Sequence, residues 1–211
     1  MLSEVLAPKQ IKEDAESLQI WGKDWTNGFV VAPSAIVFPE SIEQLQDLVA
    51  HARSNHVKLV PSGGRTGLSG GAVASQGEVV VSFDRMNQIL DFSAKDRIVT
   101  CQPGLITANL QAFAAEQGLF YPVDFASSGS SQIGGNVATN AGGIKVIRYG
   151  LTRDWVAGMK VVTGSGALLD CNAGLIKNAT GYDFRHLIIG SEGTLGLIGE
   201  LDMYLAPQPQ P

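Results

Sequence analysis

Apolar positions in the first half of the chain form three short runs and one helical stripe. The runs at residues 35–38, 57–61 and 79–83 predict buried strands. Between the first two runs, Ser41 with Gln44 three positions later predicts a helix start. The helix that follows carries one apolar stripe, formed by Ile42, Leu45, Leu48, Val49 and Ala52. Strand, helix and strand in this order predict a small lobe with a βαβ unit.

The pattern changes in the second half, where short apolar runs at residues 89–92 and 98–101 predict two strands. Thr107 is the expected cap of a helix that reaches Gln117 and stops at Gly118. The runs at 156–163 and 167–171 flank the turn 164–166 and predict a hairpin, and 201–205 predicts a last strand. These elements predict an α+β lobe with a mainly antiparallel sheet.

The pattern divides the chain into four parts. We expect an N-terminal segment at residues 1–34, a first subdomain at 35–90 and a second at 91–205. Residues 206–211 alternate proline with other residues, which favours a linker or a frayed tail.

The first glycine-rich segment, Pro61–Gly71, follows the second predicted strand directly. Five glycines in eleven residues leave a loop whose backbone amides can face an anion such as a phosphate. Neither a Walker loop nor a GxGxxG turn fits the spacing. A glycine-rich surface loop without a ligand explains this segment equally well when it is taken alone.

Two further segments share this character, at residues 127–143 and 190–198. Small residues in the second would let a flat ligand lie against the backbone, with Asn136 and Asn140 as possible partners of polar ring edges; a tightly packed Gly/Ala helix pair is the alternative. In the third, a strand entry between glycines allows close approach of a ligand, and an ordinary bulge is the alternative. All three together favour one cleft for a long, two-ended ligand.

Composition narrows the class of function. Fifteen basic and twenty acidic residues give a net charge of −5, which disfavours nucleic acid and anionic membrane surfaces as partners. Cys101 and Cys171 lack CxxC spacing and are expected to be free thiols in a reducing compartment. His51, His56 and His186 suit surface or helix positions, so we expect no metal site. The sequence lacks a secretory signal and a run long enough to span a membrane, which favours a cytoplasmic chain.

A family resemblance follows from five segments in order: PSGGRTGLSGG at 61–71, IGGNVATNAGG at 133–143, IRYG at 147–150, GYDF at 181–184 and GSEGTLGLIGE at 190–200. Together they resemble the FAD-binding domain of the vanillyl-alcohol oxidase and p-cresol methylhydroxylase superfamily. Within it, the chain is most similar to flavin dehydrogenases of 2-hydroxy acids, a group that includes glycolate oxidase FAD subunits, D-lactate dehydrogenases and D-2-hydroxyglutarate dehydrogenases.

The resemblance implies two α+β subdomains with FAD extended between them. It assigns the first loop to the pyrophosphate, the second segment to the phosphates and the isoalloxazine, and the third to the adenosine half. From the first loop it implies Pro61, Ser62, Gly63, Gly64, Arg65, Thr66, Gly67, Leu68, Ser69 and Gly70 as cofactor-binding residues. From the rest it implies Asp124, Ser127, Ser128, Ser131, Gly134, Gly135, Asn136, Ala138, Thr139, Asn140, Gly142, Tyr149, Gly150, Glu192, Gly193, Gly196 and Ile198.

Two positions depart from the family pattern. Some members attach FAD covalently through a histidine in the first loop, where this chain has Arg65 and Thr66, so we expect non-covalent FAD. Relatives usually carry Asp-Pro where this chain has Asp124-Phe125, so we expect this loop to lack the rigidity of that proline.

The resemblance also implies a part that this sequence does not contain. Family members continue into a cap domain that holds the substrate-binding and catalytic residues, so no catalytic residue is assigned here. The first hypothesis is therefore the FAD-binding portion of a dehydrogenase of lactate, glycolate or 2-hydroxyglutarate. Substrate would bind only with a cap domain or partner subunit, and a quinone, cytochrome or flavoprotein would accept the electrons. The alternatives are a stand-alone FAD-binding or electron-transfer module and a degenerate structural domain.

Overall fold

A computed structural model describes residues 1–172 and 174–209 of the chain. Its helices are α1 (Ala15–Trp21), α2 (Ile42–Ser54), α3 (Thr107–Glu116), α4 (Ile133–Ala138), α5 (Val146–Tyr149) and α6 (Arg185–Ile188). Its strands are β1 (Ile11–Lys12), β2 (Ala35–Val37), β3 (Leu59–Ser62), β4 (Val79–Ser82), β5 (Ile89–Ser93), β6 (Ile98–Cys101), β7 (Leu119–Phe120), β8 (Val156–Thr163), β9 (Leu168–Cys171), β10 (Gly196–Tyr204) and β11 (Ala206–Pro207). Short 3-10 helices lie at Leu2–Glu4, Pro8–Gln10 and Thr152–Trp155.

The first sheet has the order β1-β2-β4-β3. Strands β2 and β3 both run parallel to β4, and β1 joins the edge antiparallel to β2. Helix α2 connects β2 to β3 and packs its buried stripe, including Leu45 and Leu48, on this sheet. Ser41 caps α2 as predicted, because its Oγ accepts a hydrogen bond from the Gln44 amide.

The second sheet has the order β5-β6-β10-β8-β9 and is antiparallel throughout. The predicted hairpin is present, since β8 and β9 pair across a turn in which Gly166 has a φ of 85°. Helix α3 ends at Glu116 with Gln117 as its C-cap, and Gly118 follows with a φ of 69°, which agrees with the predicted stop at this glycine. The predicted α+β class is therefore confirmed.

Three sequence expectations differ from the structure. Thr107 is the first residue of α3 rather than its cap, because its hydroxyl is bound to Ser131 and Asn136. Strand β10 begins at Gly196 rather than at the predicted residue 201, so that Gly196 and Gly199 lie within the strand instead of preceding it. Ala206–Pro207 form an edge strand with β7, where proline is tolerated; the last two residues of the expected tail, 210 and 211, lie outside the described residues.

The two sheets share buried side chains. Val162 of β8 and Leu197 of β10 pack into the core between the first sheet and α2. A second core fills the space between the second sheet, α3 and α4, with Tyr121 and Leu201 fully buried. This continuity fixes the ends of β3 and β10 relative to each other, and the cleft described next lies there.

Candidate functional site

The three glycine-rich segments meet at one cleft of about 530 Å³. The loop after β3 forms one wall, the entry and body of α4 form a second, and the turn before β10 with its first residues forms a third. A volume of this size is typical of a site for a small molecule or cofactor. The sequence expectation that three separated segments build one cleft is confirmed by this lining.

The loop after β3 presents unused backbone donors. Among the hydrogen bonds of the described chain, the amides of residues 63–69 donate to no protein acceptor, whereas the Gly70 amide donates to Asp24 Oδ2 at 2.9 Å. A row of free amides in a loop without large side chains forms a concave surface that favours anions.

Arg65 holds a strained position in this loop. Its φ is 58°, which L residues rarely adopt, and its guanidinium lies 5.6 Å from the Trp21 ring centroid. Arg65 Nη1 donates to the Gly63 carbonyl at 3.1 Å and lies 3.5 Å from Asp84 Oδ2. Among the described lining residues Arg65 alone is basic, and because Asp84 pairs with it, an anion here would rely mainly on backbone amides.

Two glycines allow close backbone contact between the segments that form the cleft walls. A Cβ on Gly64 would overlap the Ser130 carbonyl of the second segment. A Cβ on Gly193, where φ is 78°, would overlap the Pro61 ring at the end of β3. Glycine at these positions therefore sets the distance between the three segments.

Three polar side-chain atoms of the cleft wall are buried and without a hydrogen-bond partner: Ser62 Oγ, Gln132 Oε1 and Ser191 Oγ. Unsatisfied buried polar atoms are rare in native proteins, because each costs about 1–3 kcal/mol. Their concentration along one cleft fits a polar ligand that supplies the missing partners. Together with the free amides, they fit a phosphate-bearing, hydroxyl-rich cofactor such as FAD.

The N-terminal segment supports the loop in a way that sequence reasoning missed. Asp24 is 8% exposed and accepts hydrogen bonds from the amides of Thr26 and Gly70. The Trp25 amide donates to the Gly67 carbonyl at 3.0 Å. No periodic pattern marks residues 22–26, so only the Asp-x-Thr spacing of a local side-chain turn could have indicated this contact.

Most of the residues implied by the family resemblance line the cleft. They are Pro61, Ser62, Gly63, Gly64, Arg65, Thr66, Gly67, Leu68, Ser69, Ser127, Gly134, Gly135, Asn136, Ala138, Thr139, Asn140, Gly142, Glu192, Gly193, Gly196 and Ile198. Lining residues that the resemblance did not assign to cofactor binding are Asp24, Gly71, Ala72, Phe83, Pro103, Phe125, Gln132, Ala141, Ile188, Ser191 and Leu197. The direct contact of each with a cofactor stays a prediction.

Six implied residues lie outside this lining: Gly70, Asp124, Ser128, Ser131, Tyr149 and Gly150. Asp124 pairs with Lys145 at 3.0 Å. Tyr149 packs edge-on against Phe120, with ring centroids 5.7 Å apart. For these residues cofactor contact remains a prediction without support from the lining.

The two asparagines of the second segment already have protein partners. Asn136 Nδ2 donates to Thr107 Oγ1 at 2.7 Å, and this hydroxyl also bonds to Ser131 Oγ at 2.8 Å. Asn140 Oδ1 accepts from the Arg153 amide at 3.1 Å. This network ties α4 to α3 and to the Thr152–Trp155 turn, so it stabilises the wall of the cleft.

The described part of the cleft lining contains no cysteine, histidine or tyrosine. Cys101 and Cys171 are free and buried elsewhere. Burial raises the pKa of Cys171 to about 11 and that of Cys101 further, so neither is a thiolate at neutral pH. These features agree with non-covalent FAD.

Residues 1–172 and 174–209 contain no group of three His, Cys, Asp or Glu side chains that could hold a metal ion. Within the same residues, no helix has the length and apolar character needed to cross a membrane.

Comparison with known proteins shows the family of the chain. The family model described as "FAD binding domain" matches residues 33–172. D-2-hydroxyglutarate dehydrogenase of Stutzerimonas stutzeri is 65% identical over 99% of this chain, which covers 45% of that protein. Glycolate oxidase subunit GlcD of Bacillus subtilis is 34% identical over 99% of this chain, which covers 44% of that protein. The chain thus spans less than half the length of these curated relatives.

Solved structures give the same fold. Alkyldihydroxyacetonephosphate synthase matches with a TM-score of 0.87 at 28% identity, over 100% of this chain and 40% of that one. p-Cresol methylhydroxylase with bound substrate matches with a TM-score of 0.84 at 18% identity, over 100% of this chain and 43% of that one.

Proposed function

We propose that this chain, which belongs to the FAD binding domain family, is the FAD-binding portion of a flavin-dependent dehydrogenase of 2-hydroxy acids. The row of free amides at residues 63–69, in the same cleft as the unpartnered Ser62 Oγ, Gln132 Oε1 and Ser191 Oγ, carries the proposal. Bound FAD would supply the two-electron acceptor for a substrate's α-hydrogen.

The roles of the chain's own residues follow from the walls of the cleft. Amides of the loop after β3 hold the negative pyrophosphate. Ser62 and Ser191 supply hydroxyl partners, and Gly135, where an added Cβ would point into open space, admits a flat part of the cofactor close to the backbone. We place the boundary of the two subdomains between residues 90 and 91, so that the cofactor joins residues 35–90 to residues 91–205.

The substrate is proposed to be D-2-hydroxyglutarate in preference to lactate or glycolate. Two relatives, at 65% and 54% identity, bear the name D-2-hydroxyglutarate dehydrogenase. Substrate would bind together with a cap domain or partner subunit, and a quinone, cytochrome or flavoprotein would take the electrons. A cytoplasmic location is proposed on the two free, buried cysteines.

Reconstitution tests the binding half of this proposal. The purified chain should become yellow with FAD, and acid precipitation should release intact FAD into the supernatant. A chain that stays colourless after incubation with FAD would favour a degenerate structural domain.

Substrate-dependent bleaching of the flavin tests the catalytic half. The isolated chain should bleach slowly or not at all with D-2-hydroxyglutarate. Adding the C-terminal half of the 65% identical relative as a separate polypeptide should restore bleaching, with the L-enantiomer as the control. Rapid turnover by the isolated chain would contradict the expected need for a second part, and a yellow protein that gains nothing from the added half would indicate a stand-alone module.

A further inference from the structure

Gln132, immediately before α4, has an amide group split between two environments. The residue is 4% exposed and lines the cleft. Its Nε2 donates to Asp84 Oδ1 at 2.7 Å, while its Oε1 is buried and has no hydrogen-bond partner.

The hydrogen bond to Asp84 determines which atom of the Gln132 side-chain amide is left without a partner. An ionised carboxylate only accepts hydrogen bonds, so the atom at 2.7 Å from it must be the NH₂ group. Trp21 Nε1 donates to the other oxygen of Asp84 at 2.7 Å, and Arg65 Nη1 lies 3.5 Å from that oxygen. These contacts hold the carboxylate in place and thereby orient the carbonyl end of Gln132.

Two glycines lie on the cleft side of this carbonyl. A Cβ built on Gly63 would lie 3.5 Å from Gln132 Oε1 and 3.6 Å from the Gly135 Cα, and a Cβ on Gly135 would meet nothing within 4 Å. Both glycines line the cleft. An oriented acceptor that lies in the cleft wall without a protein partner is suited to a ligand that carries a hydrogen-bond donor.

We propose that Gln132 Oε1 accepts a hydrogen bond from an N–H or O–H group of bound FAD, with Asp84 as the positioning residue. The inference rests on the proposed FAD site. Phosphate oxygens are themselves acceptors at neutral pH, so the partner is a ring N–H, the adenine amino group or a sugar hydroxyl. Gln132 therefore recognises a part of the cofactor that the free amides of the loop do not.

Replacement of Gln132 by methionine keeps the length of the side chain and removes its hydrogen-bonding groups. Gln132→Met should weaken FAD binding about five- to tenfold in a fluorescence titration, the loss expected for one hydrogen bond. Gln111→Met is the matched control, because that amide donates to the Val123 carbonyl away from the cleft. Urea unfolding of the FAD-free variants verifies that both are folded.

A second variant separates recognition from a purely structural role. In Gln132→Glu, the introduced carboxyl can donate to Asp84 when it is protonated and still present its carbonyl oxygen, whereas two ionised carboxylates repel each other. FAD affinity of this variant should recover toward the wild-type value as the pH falls, while that of Gln132→Met should not. Arg65 is the further charged group in contact with Asp84.

The role of Asp84 is tested by combining variants. Asp84→Asn frees the Gln132 amide to turn, so the affinity losses of Asp84→Asn and Gln132→Met should be less than additive. Additive losses would remove Asp84 from the role of positioning residue.

Riboflavin and ADP, each of which corresponds to one half of FAD, identify the half that donates the hydrogen bond to Gln132. If Gln132→Met weakens riboflavin, the partner lies in the flavin half, and if it weakens ADP, the partner lies in the adenosine half. Unchanged affinities for FAD, riboflavin and ADP would overturn the inference, and a water would then be the partner of the carbonyl. A wild-type chain that binds no FAD would instead overturn the proposed function.

Discussion

Ser62 lies at the end of β3 with a side chain that is 0% exposed and a hydroxyl that has no partner. Ser62→Ala removes an unsatisfied polar group, so the FAD-free chain should be as stable as the wild type or more stable by about 1 kcal/mol. The same change should weaken FAD binding about five- to tenfold, because a hydrogen bond to the cofactor is lost.

Urea unfolding and flavin titration measure these two opposite effects. Ser17→Ala serves as the control, since Ser17 is also buried but lies in α1 away from the cleft lining. A loss of stability in the FAD-free Ser62→Ala chain would show that the hydroxyl already has a protein or water partner.

Asp202 in β10 gives a prediction about pH. Burial raises the pKa of Asp202, with a further contribution from Glu200, although the Thr100 hydroxyl opposes the shift by donating to it. Because the folded-state pKa lies above the unfolded value, the favourable contribution of the protonated group is full below pH 3.8 and is lost as the pH rises through the folded-state pKa.

Asp202→Asn should therefore raise the free energy of unfolding at pH 7 and change it less near pH 4. Asparagine keeps an oxygen for the Thr100 hydroxyl. Urea unfolding at both pH values tests this, with Asp47→Asn on the exposed side of α2 as the control. A variant less stable than the wild type at pH 7 would contradict the prediction.

At the scale of the element, the turn before β10 depends on Gly193. Its φ is 78°, and an added Cβ would overlap Pro61. Gly77 is the matched control, because it has a φ of 82° and open space around the same position.

Gly77→Ala should cost about 1–2 kcal/mol for the left-handed backbone alone. Gly193→Ala should cost more and should also weaken FAD binding, since it pushes β10 away from the end of β3. Equal costs in urea unfolding would mean that the turn shifts without straining the contact with Pro61.

Arg185 anchors α6 to the second sheet. Its Nη1 donates to the carbonyls of Val156 and Ala157 at 2.8 and 2.7 Å, while Nε and Nη2 donate to Asp183 at 2.9 and 2.6 Å. The guanidinium beside Asp183 holds the pKa of that carboxyl below its usual range. A lysine ammonium cannot reproduce this fork of donors.

Arg185→Lys should lower stability by about 1–2 kcal/mol, since charge-assisted bonds are lost, and should speed amide exchange in residues 181–189. Arg53→Lys, on an exposed position of α2, is the control and should leave exchange in that region unchanged. Unchanged exchange in Arg185→Lys would show that packing of α6 alone holds the segment.

The sequence predicted some helices and strands correctly and missed others. Helix α2 was predictable because its apolar stripe and its Ser41 cap give the same answer. Helix α1 was not predicted, since Trp21 at its end gains its contacts from residues distant in the sequence, among them Phe38 and Asp84. The start of β10 was missed because glycine disfavours strands locally and is accepted here for the close contact of the cleft walls.

For the whole molecule, the sequence located the cleft walls through their glycines but missed the groups that orient its polar atoms. Asp84 and Gln132 are ordinary polar residues, 48 positions apart, and only the fold brings them together. Residues such as Tyr149 followed from family resemblance, and their packing against Phe120 depends on contacts that a motif does not encode.

The arrangement of the cleft also predicts how the whole chain unfolds. Lining residues come from both sheets, with Ser62 at the end of β3 and Ile198 in β10. Because the sheets share a core that includes Val162 and Leu197, we expect one cooperative transition. A ligand that contacts lining residues from both sheets then stabilises the two sheets together.

FAD at one hundred times its Kd should add about 2.7 kcal/mol and raise the Tm by about 5–10 °C. Far-UV circular dichroism and tryptophan fluorescence should report the same midpoint, since Trp21 packs against a cluster that includes Ile36 and Val80 of the first sheet and Trp155 packs beside the core of the second. The same concentration of FAD should raise the Tm of Gln132→Met less than it raises the Tm of the wild type. Two separate transitions, with only one dependent on FAD, would show that the cofactor stabilises one sheet alone.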